Sequence, residues 1–234
     1  KPLEHPILGQ ALYPTVPYKF SVTPTRLNQP APELNAHDEH ILKQQLPTLP
    51  VRNSTSAIPG VKNSRGGPLA GVRVVEITKV WAGPFAGKLL ALLGAEVIKV
   101  ESYTNLDELR AFGGVDVDHA PFYVSVNQEV LSVQVNMKTD EGRKYVGELI
   151  AKSDIVIDNL RPGAMERLHL GYDDLVKIKR NIIAVSIKMF GNDGPLGHQT
   201  GYAPSFTAIG GLSDLVGLQA DNPLGINMRY GDAT

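Results

Sequence analysis

From residue 68 onward the chain alternates short apolar, β-branched runs with segments of helical pattern, and this alternation constrains the fold most strongly. The run at 72–77 predicts a buried strand, and Gly83-Pro84 opens a helix that ends before Gly94. Further strands are predicted at 95–100, 130–135, 154–157 and 182–187, with helices at 139–152, 164–168 and 172–179. Strands that alternate with helices indicate an α/β fold. We therefore predict a mostly parallel, doubly wound (Rossmann-like) sheet with helices on both faces.

Composition divides the chain into three zones. Residues 1–43 are rich in proline and form an extended N-terminal tail segment, which ends in a short polar helix predicted at 36–43. Residues 44–67 carry prolines and glycines among Asn and Ser without a sustained hydrophobic period, and this pattern predicts a linker. Residues 68–234 contain the regular α/β pattern.

Charge and residue usage argue against several kinds of partner and site. The net charge of -1 gives no reason to expect nucleic acid or an anionic membrane surface. No apolar run approaches the ~20 residues that a membrane helix needs. Because the chain has no cysteine, it cannot form disulfides, zinc–thiolate sites or a thiol nucleophile. We expect no bound metal, no nucleic acid, no membrane and a cytoplasmic location.

Two predicted strand ends carry residue types that favour anion binding. After the first strand, Lys79 precedes glycines at 83 and 87, whose spacing differs from the Gly-x-Gly-x-x-Gly pattern of dinucleotide folds. After the strand at 154–157, Asn159 is followed by Arg161 and Arg167 around a Pro-Gly turn. Close packing of helix on strand explains the glycines equally well, and a solvated turn explains the arginines.

A series of motifs, in order, resembles the family III CoA-transferases. They lie at 68–76, 82–84, 93–101, 159–163, 171–172, 190–195 and 231–232. This family includes formyl-CoA transferases and the related acyl-CoA racemases, and the resemblance covers residues 68–234 almost continuously. Segments at 4–9, 17–21 and 30–34, with His37, resemble the family's C-terminal tail. A tail before a head implies the centre of a tandem protein fused through residues 44–67, with circular permutation as the alternative.

The resemblance implies an enzyme that moves CoA from an acyl-CoA to a carboxylic acid through an aspartyl anhydride and an enzyme–CoA thioester. Asp232 would be the nucleophile, although Gly-Asp alone is also ordinary turn chemistry. Tyr202 stands where racemases carry their catalytic His, and the transferase branch tends to hold Tyr there, in a positioning role. A phenol with a pKa near ~10 is a poor base, so the resemblance favours a transferase.

The resemblance also implies which residues contact coenzyme A, which enters with acyl-CoA as substrate, no cofactor being permanently bound. The implied contacts are Lys79, Val80, Trp81, Ala82, Lys138, Asn159, Leu160, Arg161, Arg167 and Leu168. Two departures remove positive charge: Ser102 stands where many relatives have arginine, and Val130-Leu131 where they have a Lys-Arg pair. The implied partners are acyl-CoA, a small carboxylate, and a second module in an interlocked homodimer or within the tandem chain.

Other functions remain open at this point. One tandem member of the family couples CoA transfer to cleavage of dimethylsulfoniopropionate, which is one specific possibility. The module is alternatively non-catalytic, serving folding or dimerisation, and the departures at Ser102 and Val130-Leu131 favour that interpretation. An acyl-CoA racemase would need His198 as its base. An NAD-dependent oxidoreductase rests only on Gly83, Gly87 and Glu101.

Overall fold

The computed structural model describes residues 2–5, 9–12, 20–21 and 66–217. The chain divides into two compact units, Lys1–Arg52 and Asn53–Thr234. In the first unit, strands β1 (Pro2–His5) and β2 (Gly9–Leu12) pair antiparallel. The helix predicted at 36–43, the predicted linker up to residue 65, and Asp232 lie outside the described residues.

A parallel sheet forms the framework of the second unit. Its strands are β3 (Arg73–Ile77), β4 (Glu96–Glu101), β5 (Leu131–Gln134), β6 (Ile155–Asp158) and β7 (Ile183–Ser186), in the spatial order β5-β4-β3-β6-β7. All four neighbouring pairs are parallel, which confirms the predicted mostly parallel α/β fold. The chain moves outward from β3 first to one edge and then to the other. The topological switch point, where such sheets bind ligands, therefore lies between the carboxyl ends of β3 and β6.

Helices connect the strands and follow the last of them. They are α1 (Ala82–Leu92), α2 (Pro121–Val126), α3 (Asp140–Ala151), α4 (Ala164–Arg167), α5 (Tyr172–Ile178) and α6 (Ala203–Ile209), with 3-10 turns at Glu108–Ala111 and Leu212–Leu215. Thr139 caps α3 by accepting a hydrogen bond from the Gly142 N–H, at 3.1 Å. Asp140 and Glu141 then place negative charge in the first turn, where the helix dipole favours it.

Helices cover both faces of the sheet. Val74 and Val75 are adjacent in β3, and both side chains are fully buried. Val75 belongs to a buried cluster with Ile150 of α3, whereas Val74 belongs to a different cluster with Ala91 of α1. Since successive strand side chains point to opposite faces, two separate cores mean a doubly wound sheet. Within the described ranges, no helix combines the length and apolar character needed to cross a membrane.

Candidate functional site

A cleft of about 520 Å³ opens beyond the carboxyl ends of β3, β4 and β5. Its wall is built by the last residues of β3 and β4 and by the segments after β3, β4, β5 and β6. These residues are Ile77, Thr78 and Lys79; Val100, Glu101, Ser102, Thr104 and Asn105; Asn136, Met137 and Lys138; Leu160 and Leu168. The cleft thus brings Lys79, Lys138, Leu160 and Leu168 together from the residues predicted to contact CoA. Ligands of parallel α/β sheets collect at this edge.

The two lysines of the cleft differ in their availability. The Lys79 ammonium donates hydrogen bonds to Asn105 Oδ1 at 2.8 Å and to the Leu106 carbonyl at 2.9 Å, and lies 3.6 Å from Glu108. Its charge is therefore engaged by the loop after β4. Lys138 is exposed, and its Nζ has no hydrogen-bond acceptor within the described part of the chain. Lys138 is thus the cleft cation best placed to meet an added anion.

The loop after β3 is held by side chains from elsewhere in the chain. The Asn159 carboxamide binds Lys79 twice: its Oδ1 accepts from the Lys79 N–H at 2.8 Å, and its Nδ2 donates to the Lys79 carbonyl at 2.7 Å. The next N–H, of Val80, donates to Asp107 Oδ1 at 2.9 Å. Val80 and Trp81 pack against a buried cluster, and Ala82 begins α1. The Asn159 amide therefore fixes the backbone of this loop at Lys79.

A buried charged group lies beneath that loop. Lys99 is fully buried, and its Nζ lies 3.2 Å from Glu76 Oε1 and 3.2 Å from Asp107 Oδ2. Lys99 also donates to the Thr78 carbonyl at 3.2 Å, and the Thr78 hydroxyl donates to Glu76 at 2.5 Å. Burial raises the pKa of Glu76 above 4.5, although Lys99 and Thr78 oppose that shift. This group ties β3 and β4 to the loop at Asp107.

The Glu101 carboxylate is fully occupied by protein groups. It accepts from Arg110 at 3.0 and 2.7 Å, from the Asp107 N–H at 3.1 Å and from the Tyr123 hydroxyl at 3.2 Å. Burial acts to raise the pKa of Glu101, but Arg110 and the Asp107 N–H outweigh it and hold that pKa below 4.5. Arg110 also stacks on Tyr123, 3.6 Å from the ring centroid. Glu101 is therefore not free to bind a ribose, as an NAD-dependent enzyme would require.

Gly83 and Gly87 serve close packing of α1 on the strands. A Cβ added at Gly87 would lie 1.9 Å from Glu76 Oε2, and one at Gly83 would lie 2.5 Å from Thr78 Cβ. Of the two explanations that the sequence left open for these glycines, the packing one accounts for their positions.

The remaining predicted residues lie outside this cleft. Arg161 lines a second cleft of about 520 Å³ near the carboxyl ends of β6 and β7. Lys188 lines it too and forms an ion pair with Asp158, which the sequence pattern alone does not predict. Arg167 lines neither of these clefts. Tyr202 precedes the first residue of α6, its side chain makes no capping hydrogen bond, and 60% of its surface is exposed.

The two departures from the family pattern lie at opposite ends of the sheet. Ser102 is buried, lines the first cleft and is hydrogen-bonded to Thr104 at 3.0 Å. Val130 and Leu131 lie at the amino end of β5, whereas the cleft is beyond its carboxyl end. Leu131 and Gln134 lie three strand steps apart, roughly 10 Å at about 3.3 Å per residue, and the cleft residues Asn136 to Lys138 come after the strand has ended. Only the Ser102 departure changes the cleft itself.

Comparison with known proteins assigns the family. Residues 69–234 match the model of CoA-transferase family III. The chain belongs to this family. It is 40% identical over 158 residues to succinyl-CoA:glutarate CoA-transferase of Mus musculus, covering 67% of this chain and 36% of that protein. It is 35% identical over 168 residues to formyl-CoA:oxalate CoA-transferase of Streptomyces avermitilis, covering 70% of this chain and 40% of the relative.

Solved structures give the same family relation. A CAIB/BAIF family protein from Brucella suis superimposes with a TM-score of 0.65 at 35% identity, covering 71% of this chain and 45% of that one. A hypothetical protein from Mycobacterium tuberculosis also superimposes with a TM-score of 0.65, at 32% identity. The chain spans 36% to 46% of the length of these four relatives.

Proposed function

We propose that this chain supplies the CoA-binding part of a transferase that moves CoA from an acyl-CoA to a carboxylic acid. The observation that carries the proposal is the first cleft, which opens at the ligand-binding edge of the sheet and contains Lys138. Apolar walls at Leu160 and Leu168 suit the pantetheine arm, and a cation suits the phosphates of the nucleotide. Membership of the family supports the reaction class.

The proposed chemistry uses Asp232, which falls inside the range matched by the family model. Its carboxylate attacks the donor thioester, the C–S bond breaks, and CoA leaves as thiolate, so that a mixed anhydride forms. The thiolate then attacks the aspartyl carbonyl, which releases the donor acid and leaves an aspartyl–CoA thioester. The acceptor carboxylate displaces CoA from Asp232, and the thiolate attacks the acceptor acyl carbon, which restores the aspartate. Water must be excluded, because it would hydrolyse the anhydride.

Trapping of the acyl-enzyme tests this proposal. Wild-type full-length protein, incubated with acyl-CoA and then hydroxylamine, is expected to carry a hydroxamate on the peptide containing Asp232. Asp232→Asn should lose the adduct and nearly all turnover while retaining CoA binding. Asp214→Asn, which changes an exposed aspartate in the 3-10 turn Leu212–Leu215, is the matched control. Retention of more than about a tenth of wild-type turnover by Asp232→Asn, a loss below ~1.4 kcal/mol, would contradict the nucleophile assignment.

The same experiment separates the transferase from its alternatives. Tyr202 occupies the place of the racemase base, so we expect no exchange of the α-proton of an acyl-CoA into deuterated water. Exchange without any adduct would instead favour a racemase with His198 as base. A protein with neither adduct nor exchange, over a broad donor panel, would be the non-catalytic module. Release of dimethyl sulfide from dimethylsulfoniopropionate in the presence of an acyl-CoA tests the proposed link to its cleavage.

The CoA contacts are tested separately by calorimetry. Lys138→Ala and Arg167→Ala together should weaken CoA binding by about 1.5–3 kcal/mol for each charged hydrogen bond lost. Lys144→Ala removes the same charge from an exposed position on α3 and should leave affinity unchanged. Equal CoA affinities for the wild type, the Lys138→Ala/Arg167→Ala double variant and Lys144→Ala would place the nucleotide site elsewhere.

We further propose that residues 1–43 belong to a preceding module, that modules pair in a homodimer or a tandem chain, and that the protein is cytoplasmic.

A further inference from the structure

Val80 adopts a backbone conformation that its residue type disfavours. Its φ is +65°, in the left-handed region, and among the described residues it is the one β-branched residue with a positive φ. Crowding between the Cβ and the backbone makes this region unfavourable for L-residues, and for β-branched residues most of all. Such a conformation persists only where surrounding contacts enforce it.

Asp107 provides an enforcing contact. Its Oδ1 accepts from the Val80 N–H at 2.9 Å and from the Leu109 N–H at 3.0 Å, while its Oδ2 lies 3.2 Å from Lys99 Nζ. Asp107 is only 1% exposed, so the carboxylate has a fixed environment and no solvent to compete for these donors. The Val80 side chain packs against the cluster that contains Leu109 and Tyr123.

The neighbouring residues of the same loop are bound in the same manner. Lys99 donates to the Thr78 carbonyl, and the Asn159 amide binds both the N–H and the carbonyl of Lys79. Three consecutive residues, 78–80, therefore have backbone groups that bind side chains from other segments. The loop joins β3 to α1 at the topological switch point, and Thr78 and Lys79 line the first cleft. The conformation of this loop therefore sets the part of the cleft wall that Thr78 and Lys79 form.

We propose that Asp107 is a positioning residue for CoA binding: it holds Val80 in the left-handed conformation and so fixes the loop at 78–80, of which Thr78 and Lys79 line the cleft. The inference rests on the proposed function, because it assumes that the first cleft receives CoA. Asp107 is buried behind the loop and acts through the Val80 backbone. Glycine at position 80 would adopt the same φ without enforcement, since it has no Cβ.

A double-mutant cycle in the full-length protein tests the inference. Asp107→Ala is expected to weaken CoA binding, measured by calorimetry, by about tenfold, the order set by the cost of a left-handed L-residue. In a Val80→Gly background the same Asp107→Ala change should weaken CoA binding by no more than about threefold, because glycine adopts a positive φ without a contact that enforces it. Equal losses in the two backgrounds would overturn the inference.

Two further measurements separate positioning from a general loss of stability. Val97→Ala, in the core under α1, should lower the free energy of unfolding without altering CoA affinity. A crystal structure of Asp107→Ala should show residue 80 outside the left-handed region. A φ still near +65° would overturn the inference whether or not CoA binds. Absence of CoA binding to the wild-type protein would instead contradict the proposed function. The φ of Val80 in Asp107→Ala would then show whether Asp107 holds this residue in the left-handed conformation.

Discussion

Gly87→Ala is expected to destabilise the protein, although alanine is the better helix former. Gly87 lies in α1, and an added Cβ would meet Glu76 Oε2 at 1.9 Å and Glu76 Cδ at 2.8 Å. Real Cβ atoms do not approach so closely, so the carboxylate or the helix must move. Glu76 is fully buried, so its carboxylate cannot move into solvent. Its contacts with Thr78 and Lys99 would also have to break if it moved.

The size of the effect follows from what must move. Separating Glu76 from Lys99 breaks a buried ion pair, which costs about 3–5 kcal/mol when one partner is lost. Replacing glycine by alanine within a helix returns roughly 0.5–1 kcal/mol. The expected net loss in the free energy of unfolding is therefore about 2–4 kcal/mol.

Gly147→Ala is the matched control for urea unfolding followed by circular dichroism. Gly147 lies within α3, and its added Cβ would meet only Ile178 Cδ1, at an ordinary 3.7 Å. Alanine there should stabilise the protein by roughly 0.5–1 kcal/mol. Opposite signs for the two glycines support the packing of Gly87 on Glu76. A Gly87→Ala protein as stable as the wild type would refute it.

Three other outcomes are expected. Because the folded pKa of Glu101 lies below 4.5, its ionised form stabilises the fold above that pH, and the contribution is lost as pH falls through the lowered pKa. The stability advantage of wild type over Glu101→Gln should thus shrink as the pH falls below 4.5; a constant difference would contradict this. A hydrogen bond to Asp116 raises the pKa of His119 above 6.5, so an NMR titration should show a lower value in Asp116→Asn, and equal values would reject the pair. Ser102→Arg should strengthen CoA binding by about tenfold through one charge-assisted hydrogen bond; unchanged affinity would exclude Ser102 from the nucleotide site.

Local sequence pattern was enough to predict the sheet and most helices. The strand predicted at 72–77 runs over Arg73–Ile77, and the helix predicted at 139–152 runs over Asp140–Ala151. Those segments are long enough to show a hydrophobic period, and Thr139 is a recognisable cap. By contrast α2, with the sequence PFYVSV, and the 3-10 turn at Glu108–Ala111 are too short for a period and were not predicted.

The contacts that shape the site depend on pairs far apart in the chain. Asp107 and Val80 are separated by 27 residues, and Asn159 and Lys79 by 80. The sequence predicts that Asn159 lies at a strand end. It does not predict the hydrogen bonds of Asn159 to the Lys79 backbone, because those require β3 and β6 to be neighbours. Val80 gives no sequence signal for a left-handed φ, since that conformation normally indicates Gly, Asn or Asp.

The first cleft has few cations that could bind a phosphate, and Ser102, where many relatives have arginine, is one reason. CoA carries its negative charge on phosphates, and a CoA site is expected to place arginine or lysine at hydrogen-bond distance from them. Here the Lys79 ammonium is already bound by Asn105 and Leu106, and position 102 holds serine. Lys138 therefore dominates the attraction for a phosphate within the described cleft, and it is exposed to solvent. Because salt screens exposed charges effectively, CoA affinity should depend on ionic strength in the wild type and much less in Lys138→Ala.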